Sequence, residues 1–302
     1  MITVLQEMLL HLDGTPRVLS LNDDPLAEWS SHRAVSVDGP EDSSGTDRVD
    51  RQWRQVQDEL DPDAMEDGFE NHAYVRWFFL NNRVMPDFVG MAHEVDPHIA
   101  SGLVERYESR CRGGVDDHAD RKLDPRSKSA QHVYYLTRLV SQLPDLPRRH
   151  VLEIGGGFGN FARIALQLSM CAGYDALDIR NVIELQRRYL ESCVEPAVFD
   201  EVRFHTVEDE DAMAGLRERR FGLVVSTFAL TETPPAMRDW SLQLINGRAD
   251  AVFIAGQESF GGESVGDQIT SALEASFDVA RTPMRWESSN LGPCFEILAR
   301  RR

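Results

Sequence analysis

The sequence predicts an α/β protein with a doubly wound, largely parallel β-sheet in its C-terminal half and a mostly helical N-terminal region. After residue 149, short apolar runs alternate with amphipathic helical patterns, which is the rhythm of parallel strands joined by crossover helices. The last two apolar runs are separated only by "ESSNLG", which is too short for a helix. They are therefore expected to pair as an antiparallel hairpin at the sheet edge.

Seven strands are predicted in all. They cover residues 150–155, 174–178, 202–207, 221–226 and 250–256, followed by the hairpin at 277–286 and 293–301. Five parallel strands that end in such a hairpin resemble the outline of class I methyltransferases, whose sheet is seven-stranded and Rossmann-like.

The N-terminal part divides into an acidic arm and a helical region. Residues 21–50 are rich in Asp, Ser, Gly and Pro without periodicity, which is typical of a loop or mobile arm. One helix is predicted to begin near Asp50, and others cover residues 71–84 and run from about Ser127 to Leu143. A further helix is predicted with Asp96 as its cap and Pro97 in its first turn. We therefore expect an accessory, substrate-capping region over residues 1–145 and a catalytic domain over residues 146–302.

Composition and charge exclude several classes of function. The net charge is −18, and residues 1–70 carry 17 acidic against 5 basic side chains. Such a chain repels nucleic acid and anionic lipid, and no run is long and apolar enough to span a membrane. Four scattered cysteines and an N-terminus without a basic segment indicate a cytoplasmic protein without disulfides or structural zinc.

The segment "VLEIGGGFGN" at 151–160 is the strongest motif. Glycines after a strand let the backbone turn sharply and approach a ligand closely. A dinucleotide fingerprint requires a glycine where Asn160 stands, so the spacing is E-x-G-x-G-x-G. Glu153 would repel a pyrophosphate, whereas it suits the ammonium of a methionyl group. The sequence therefore predicts S-adenosyl-L-methionine (SAM) as cofactor, bound by Glu153, Gly155, Gly156, Gly157 and Gly159.

Further cofactor contacts are predicted at the ends of the next three strands. Asp178 ends the second strand, where a carboxylate can accept hydrogen bonds from both ribose hydroxyls, and Ile179 follows it. Glu208 and Asp209, in "VEDED", follow the third strand at the position where a methyltransferase binds the adenine amine. Ser226 ends the fourth strand. No clustered acidic signature indicates a metal site.

Three segments carry a more particular resemblance: "VLEIGGGFGNFARIA", "LDIRNVIELQRRYL" and "VVSTFALTE". They are similar to the sugar O-methyltransferase family of bacterial secondary-metabolite and polysaccharide clusters over about residues 130 to 260. The matching positions are Glu153 to Gly159, Asp178, Tyr189-Leu190 and Phe228 to Glu232. Arg180 and Thr231 depart from that family's proline and serine. The resemblance implies methylation of a hydroxyl on a sugar, aminocyclitol or glycoside, for example in antibiotic biosynthesis.

Three residues are candidates for the general base that such an acceptor hydroxyl requires. Glu232 follows the fourth strand, although it could instead favour the N-terminus of the helix that follows it. Glu258 follows the fifth strand, where it could be a solvated loop acid. His132 shares a helix face with Tyr135 and Leu136 and could be a core histidine.

Two alternatives of function remain open at this point. The cofactor motifs do not exclude a methyltransferase for an amine or a polyketide phenol. A non-catalytic partner protein could also keep the fold, although it would not need Glu153, the glycines and Asp178 together. The expected binding partner is a small-molecule acceptor, and binding to nucleic acid or to a membrane is not expected. The formation of a homodimer is left open.

Overall fold

The protein is described here from a computed structural model that covers residues 85–113, 122–260, 262–285 and 292–302. The acidic arm and the helices predicted near Asp50 and over residues 71–84 lie outside the described residues. Within the described ranges, no helix is both long enough and apolar enough to cross a membrane.

In the part of the chain that the structure describes, three α-helices precede the sheet, and each begins at a side chain that caps it. They are α1 (Phe88–Val95), α2 (Pro97–Arg110) and α3 (Lys128–Gln142). The Asp96 carboxylate accepts hydrogen bonds from the first free N–H groups of α2, and Pro97 follows as the first helical residue. Ser127 caps α3 in the same way, at 3.0 Å from the nitrogen of Ala130. Both predicted helix starts are confirmed.

The sheet has seven strands in the order β3-β2-β1-β4-β5-β7-β6. They are β1 (His150–Ile154), β2 (Gly173–Asp178), β3 (Val202–Thr206), β4 (Leu223–Thr227), β5 (Ala251–Gln257), β6 (Phe277–Pro283) and β7 (Cys294–Arg301). Strands β1 to β5 are parallel, and β7 lies antiparallel between β5 and β6. The predicted fold class, including the terminal hairpin, is confirmed.

Helices cover both faces of the sheet. The connecting helices are α4 (Asn160–Gln167), α5 (Arg180–Cys193), α6 (Pro196–Phe199), α7 (Glu210–Glu218), α8 (Ala229–Glu232), α9 (Pro235–Arg248) and α10 (Val265–Glu274). Alternate strand residues enter two separate cores because successive side chains point to opposite faces. Val151 and Phe253 pack with α3, α4 and α5, whereas Leu152 and Ile254 pack with α7, α9 and α10. The helical region before β1 thus shares one continuous core with the sheet.

The order of strands reverses between β1 and β4. From β1 the chain crosses to β2 over one face, and from β4 it crosses to β5 over the other. Crevices that bind ligands form at such a switch point, beyond the carboxyl ends of the strands. The loop after β1 begins at Gly155, and the loop after β4 begins at Phe228. These two loops border the candidate site.

Candidate functional site

The glycine loop between β1 and α4 adopts a backbone that favours glycine. Gly155, Gly157 and Gly159 have φ angles of 74°, 58° and 92°. Residues with a Cβ atom rarely occupy this left-handed region, because the Cβ collides with the backbone. The nitrogen of Gly155 also donates to the carbonyl of Leu177, at 2.9 Å, and this bond ties the loop to β2. The sharp turn expected from the sequence is therefore observed.

The space beside two of the glycines is filled by the protein itself. A Cβ on Gly155 would lie 1.9 Å from the Cβ of Ala229, and one on Gly156 would lie 2.5 Å from Oε2 of Glu153. The missing side chains at these two positions let α8 pack against the loop and let a carboxyl group lie beneath it. The cofactor contacts predicted for Gly155 and Gly156 stay predictions.

Glu153 is fully buried under the glycine loop, on the same face of β1 as Val151. Its Oε2 accepts a hydrogen bond from the hydroxyl of Tyr174 at 2.7 Å, whereas Oε1 is buried and has no hydrogen-bond partner in the part of the chain described. Burial raises the pKa of this carboxyl to about 7, although the Tyr174 bond acts in the opposite direction. A positive charge beside the loop would favour the ionised form.

Asp178 lies at the carboxyl end of β2, as predicted. Its Oδ1 accepts a hydrogen bond from the backbone nitrogen of Ile179 at 2.8 Å, and its Oδ2 lies 3.3 Å from Nε2 of Gln186. Burial is the main cause that raises the pKa of Asp178 to about 7, and the nearby carboxyls of Glu153 and Glu208 raise it further. Two other acids therefore lie close enough to Asp178 to repel its charge, which suits a ligand that supplies positive charge or hydroxyl donors.

An open cleft of about 560 Å³ extends from the ends of β2 and β3. It is lined by Arg180, Glu184, Thr206, Glu208, Asp209, Glu210 and Asp211. Five carboxylates against one guanidinium disfavour a phosphate group, because like charges repel. The cleft thus suits a nucleoside without phosphates better than a dinucleotide.

The remaining predicted cofactor residues have local structural contacts. Glu208 accepts a hydrogen bond from the backbone nitrogen of Arg180 at 3.3 Å, and the Asp209 carboxylate caps α7. Ile179 precedes the first residue of α5. Ser226 is fully buried, and its hydroxyl accepts a hydrogen bond from the nitrogen of Leu230, so that it holds α8 in place. Their roles toward a cofactor stay predictions.

Glu232 is the last residue of α8, and its side chain is only 6% exposed. Its Oε1 accepts a hydrogen bond from Nε2 of Gln257, the last residue of β5, at 2.8 Å. Burial raises the pKa of Glu232 to about 7, while the Gln257 bond and the charge of Lys128 lower it. A carboxyl group with this pKa is well suited to exchange protons near neutral pH.

The backbone before α8 is strained at Phe228. This residue has a φ of 72°, which is rare for a side chain with a ring. Its nitrogen donates to the carbonyl of Ala255 at 2.6 Å, and its carbonyl accepts from the hydroxyl of Thr231 at 2.7 Å. These bonds hold the strained turn in place, and through it α8 is directed at the glycine loop. Strain of this kind is concentrated at functional sites.

His132 lies on α3 beside the start of α4. Its Nδ1 is 3.1 Å from Nδ2 of Asn160, and its ring packs edge-on against the ring of Phe161. Burial lowers the pKa of His132 well below its usual value, and the charges of Lys128 and Arg163 lower it further. Lys128 also acts on Glu232, so the lysine lies near both candidate residues.

Glu258 is held by a different set of residues. Its carboxylate forms an ion pair with Arg281 of β6, and its backbone carbonyl accepts from the nitrogen of Gly266. The Arg281 guanidinium also lies over the ring of Phe295 and pairs with Asp267. Glu258 therefore contacts residues of β6 and α10. These contacts give no support to the predicted catalytic role of Glu258.

Several site residues were missed by sequence reasoning. Gln257 directly precedes Glu258 at the end of the fifth predicted strand, and that position is a signal that could have identified it. Tyr174, Gln186 and Asn160 gave no such signal, because their roles depend on which side chain meets them across the fold. No group of three His, Cys, Asp or Glu side chains within the described ranges is arranged to hold a metal ion.

Comparisons with known proteins identify similar structures but no family. No family model matches the chain, and no curated protein matches it. The solved structures that it resembles include Thermoplasma acidophilum protein 1320, at 13% identity over 67% of this chain and 97% of that one, with a TM-score of 0.44. The methyltransferase domain of a bacterial Hen1 is 12% identical over 57% of this chain and 100% of its own, with a TM-score of 0.44.

A third similar structure is the glycopeptide N-methyltransferase MtfA in complex with S-adenosyl-L-homocysteine. It is 15% identical over 56% of this chain and 89% of its own length, with a TM-score of 0.42. The assignment of a function to this chain therefore depends on the residues of its own site.

Proposed function

We propose that the protein is a SAM-dependent O-methyltransferase that acts on a hydroxyl of a sugar, aminocyclitol or glycoside. The observation that carries the proposal is the position of the buried Glu232 carboxyl. It ends α8, whose first residue, Ala229, packs directly against Gly155 of the glycine loop. Three residues of α-helix rise only about 4.5 Å, so a group with a pKa of about 7 lies close to the loop.

The residues around the glycine loop fit SAM. Among the described residues, one buried oxygen of Glu153 has no hydrogen-bond partner under the loop. Asp178 has a raised pKa, which ribose hydroxyls would lower by donating to its carboxylate. The acidic cleft that continues past Asp178 can take an adenosine without phosphates. Asp178 would bind the ribose, and Glu153 would favour the positive charge of the methionyl end. When bound, SAM would supply a methyl group on a positively charged sulfur, and S-adenosyl-L-homocysteine would be the leaving group.

Glu232 supplies the proton chemistry in this proposal. A sugar hydroxyl is a weak nucleophile at neutral pH, and removal of its proton during the displacement contributes about 10²- to 10⁴-fold in rate. The hydrogen bond from Gln257 fixes the direction of one carboxylate oxygen, Oε1, and so orients the carboxyl group. The limited exposure of the Glu232 side chain keeps water from competing for the proton.

The acceptor class rests on two arguments. The first is the resemblance of the glycine loop, the β2 segment and the β4 segment to sugar O-methyltransferases. The second is chemical: a hydroxyl needs a base such as Glu232, whereas a free amine is itself sufficiently nucleophilic once unprotonated. A role in bacterial secondary metabolism follows only from the resemblance and belongs to the same proposal.

A screen with mass detection tests the proposal. The protein is incubated with SAM and panels of glycosides, aminocyclitols, phenols and amines, and products are sought that gain one methylene in mass. We expect turnover with hydroxyl acceptors of the sugar or cyclitol class. Turnover confined to amines would contradict the role of Glu232. Calorimetry gives the cofactor independently: binding of NAD without binding of SAM or S-adenosyl-L-homocysteine would overturn the assignment.

A further inference from the structure

The ring of His132 is held in one orientation by its neighbours. Its Nδ1 lies 3.1 Å from the side-chain amide nitrogen of Asn160, the residue that directly follows the glycine loop. The ring also packs edge-on against Phe161, with 5.7 Å between centroids and 85° between planes. The ring plane is thereby fixed, and Nδ1 faces α4.

The orientation of the Asn160 amide is decided by a buried arginine. Nε and Nη2 of Arg163 lie 3.0 and 2.9 Å from Oδ1 of Asn160. A guanidinium group can only donate hydrogen bonds, so the atom that faces it must be the amide oxygen. The amide nitrogen, which only donates, must then face His132. Arg163 cannot turn away easily, since its Nη2 also donates to Tyr107 and Ser129, each at 3.0 Å.

We propose that Asn160 is a positioning residue that holds His132 as the neutral tautomer with its proton on Nε2. Nδ1 must accept the hydrogen bond from Asn160, so the single proton of the neutral ring resides on the other nitrogen. In this form neither nitrogen can take a proton from an acceptor hydroxyl. His132 is then a hydrogen-bond donor in the crevice, and Glu232 is left as the general base. This inference rests on the proposed function for its catalytic meaning.

The charged and titratable groups that face His132 favour the neutral ring. Lys128 lies one turn earlier on α3 and Arg163 projects from α4, and both repel a proton on the imidazole. Tyr135, whose ring centroid is 6.2 Å from that of His132, also lies on α3, and burial raises its pKa well above the usual value, so it stays neutral. The tautomer should therefore persist across the neutral pH range.

Nitrogen NMR of the protein with ¹⁵N-labelled histidine tests the tautomer directly. The His132 signals are identified by their absence from His132→Gln. We expect that the ring at pH 7 carries a proton on Nε2 only. Asn160→Asp keeps the size of the side chain and still accepts from Arg163, but it replaces the amide donor with a carboxylate. This variant should raise the pKa of His132 by about 1 to 3 pH units and place a proton on Nδ1.

Tyr189→Phe is the matched control. It removes a different hydrogen bond to Asn160, 3.4 Å long, and leaves the amide donor in place, so the tautomer should not change. A wild-type ring with its proton on Nδ1, or a signal unaffected by Asn160→Asp, would overturn the proposal. These spectra are recorded without substrate, so they stand even if the protein is found not to methylate sugars.

Kinetics separates positioning from a merely structural role. If His132 donates from Nε2, the ionisation of the ring in the pH profile of kcat should move to higher pH in Asn160→Asp, because the new carboxylate favours the protonated imidazole. Asn160→Asp and wild type should have similar thermal stability, since Arg163 keeps its acceptor. A parallel loss of kcat at every pH, with an unchanged profile, would show that Asn160 serves the fold only.

Discussion

The side-chain amide of Gln257 donates to the carboxylate of Glu232 across 2.8 Å, although the two residues are 25 positions apart in the sequence. Phe253, Ala255 and Gln257 are alternate residues of β5 and point to the face of the sheet that α3 covers. The amide of Gln257 therefore reaches the crevice from the end of β5. Glu232 reaches the same place from the end of α8. The segment that follows β4 and the end of the neighbouring strand β5 thus combine to make one candidate base.

Substitution of Glu232 by Gln tests the base itself. The variant keeps the volume and most hydrogen bonds but removes the proton acceptor, so kcat should fall about a hundredfold or more while SAM affinity changes little. Single-turnover assays and calorimetry measure the two quantities. Glu258→Gln is the comparison, and its effect should be smaller, because that carboxylate is paired with Arg281. Normal turnover by Glu232→Gln would leave Glu232 as a helix-terminus acid.

Replacement of Gln257 by Leu tests the hydrogen bond between the two residues. The Gln257 bond lowers the pKa of Glu232, so its loss should raise that pKa above about 7. The acid limb of the kcat profile should therefore move to higher pH, with a smaller loss of rate at pH 9 than at pH 7. Gln268→Leu, at an exposed position of α10, is the control and should leave the profile unchanged. An unshifted acid limb in Gln257→Leu would contradict the assignment.

The affinity for SAM should depend on the ionisation of Asp178. Its pKa is raised to about 7 in the free protein, and ribose hydroxyls bind its carboxylate form. Affinity should therefore rise between pH 6 and pH 8, and calorimetry in buffers of different ionisation enthalpy should detect proton release. Asp178→Asn should weaken binding at pH 8 by about 1.5–3 kcal/mol and flatten the pH dependence. The exposed Asp200→Asn should do neither, and an unchanged slope in Asp178→Asn would exclude this role.

Glu153 should make the free protein less stable as the pH rises. Its folded-state pKa of about 7 exceeds the usual 4.5, so the folded state favours the protonated carboxyl. The contribution of this preference to the unfolding free energy is fully present below pH 4.5 and is lost as the pH rises through 7. The unfolding free energy of Glu153→Gln minus that of the wild type should increase by about 2 kcal/mol as the pH rises from 5 to 8. Denaturant titrations measure the two unfolding free energies, and Glu274→Gln, at an exposed position, is the control. If the difference between Glu153→Gln and wild type did not change with pH, Glu153 would be ionised throughout this range.

Local patterns determined the fold class, the positions of the seven strands and the helix starts at Asp96 and Ser127. Strand alternation, capping side chains and the short hairpin connection all act between residues that are near one another along the chain. The conformations of the glycines are also determined locally, because the turn after β1 constrains the backbone of the loop directly. These features are therefore predictable from the sequence alone, within a few residues at each boundary.

Only the tertiary structure decided what each polar side chain meets. Asp175 lies in the middle of a predicted strand, yet in the fold it is fully buried and bound by His150, His205 and Arg219 from three other segments. Glu153 lies beneath Gly156, and Glu258 pairs with Arg281. Such contacts depend on strand order and helix packing, which bring together residues far apart in sequence. The sequence therefore determines where the crevice forms, and the packing around it determines which carboxyl is buried with a pKa near neutrality.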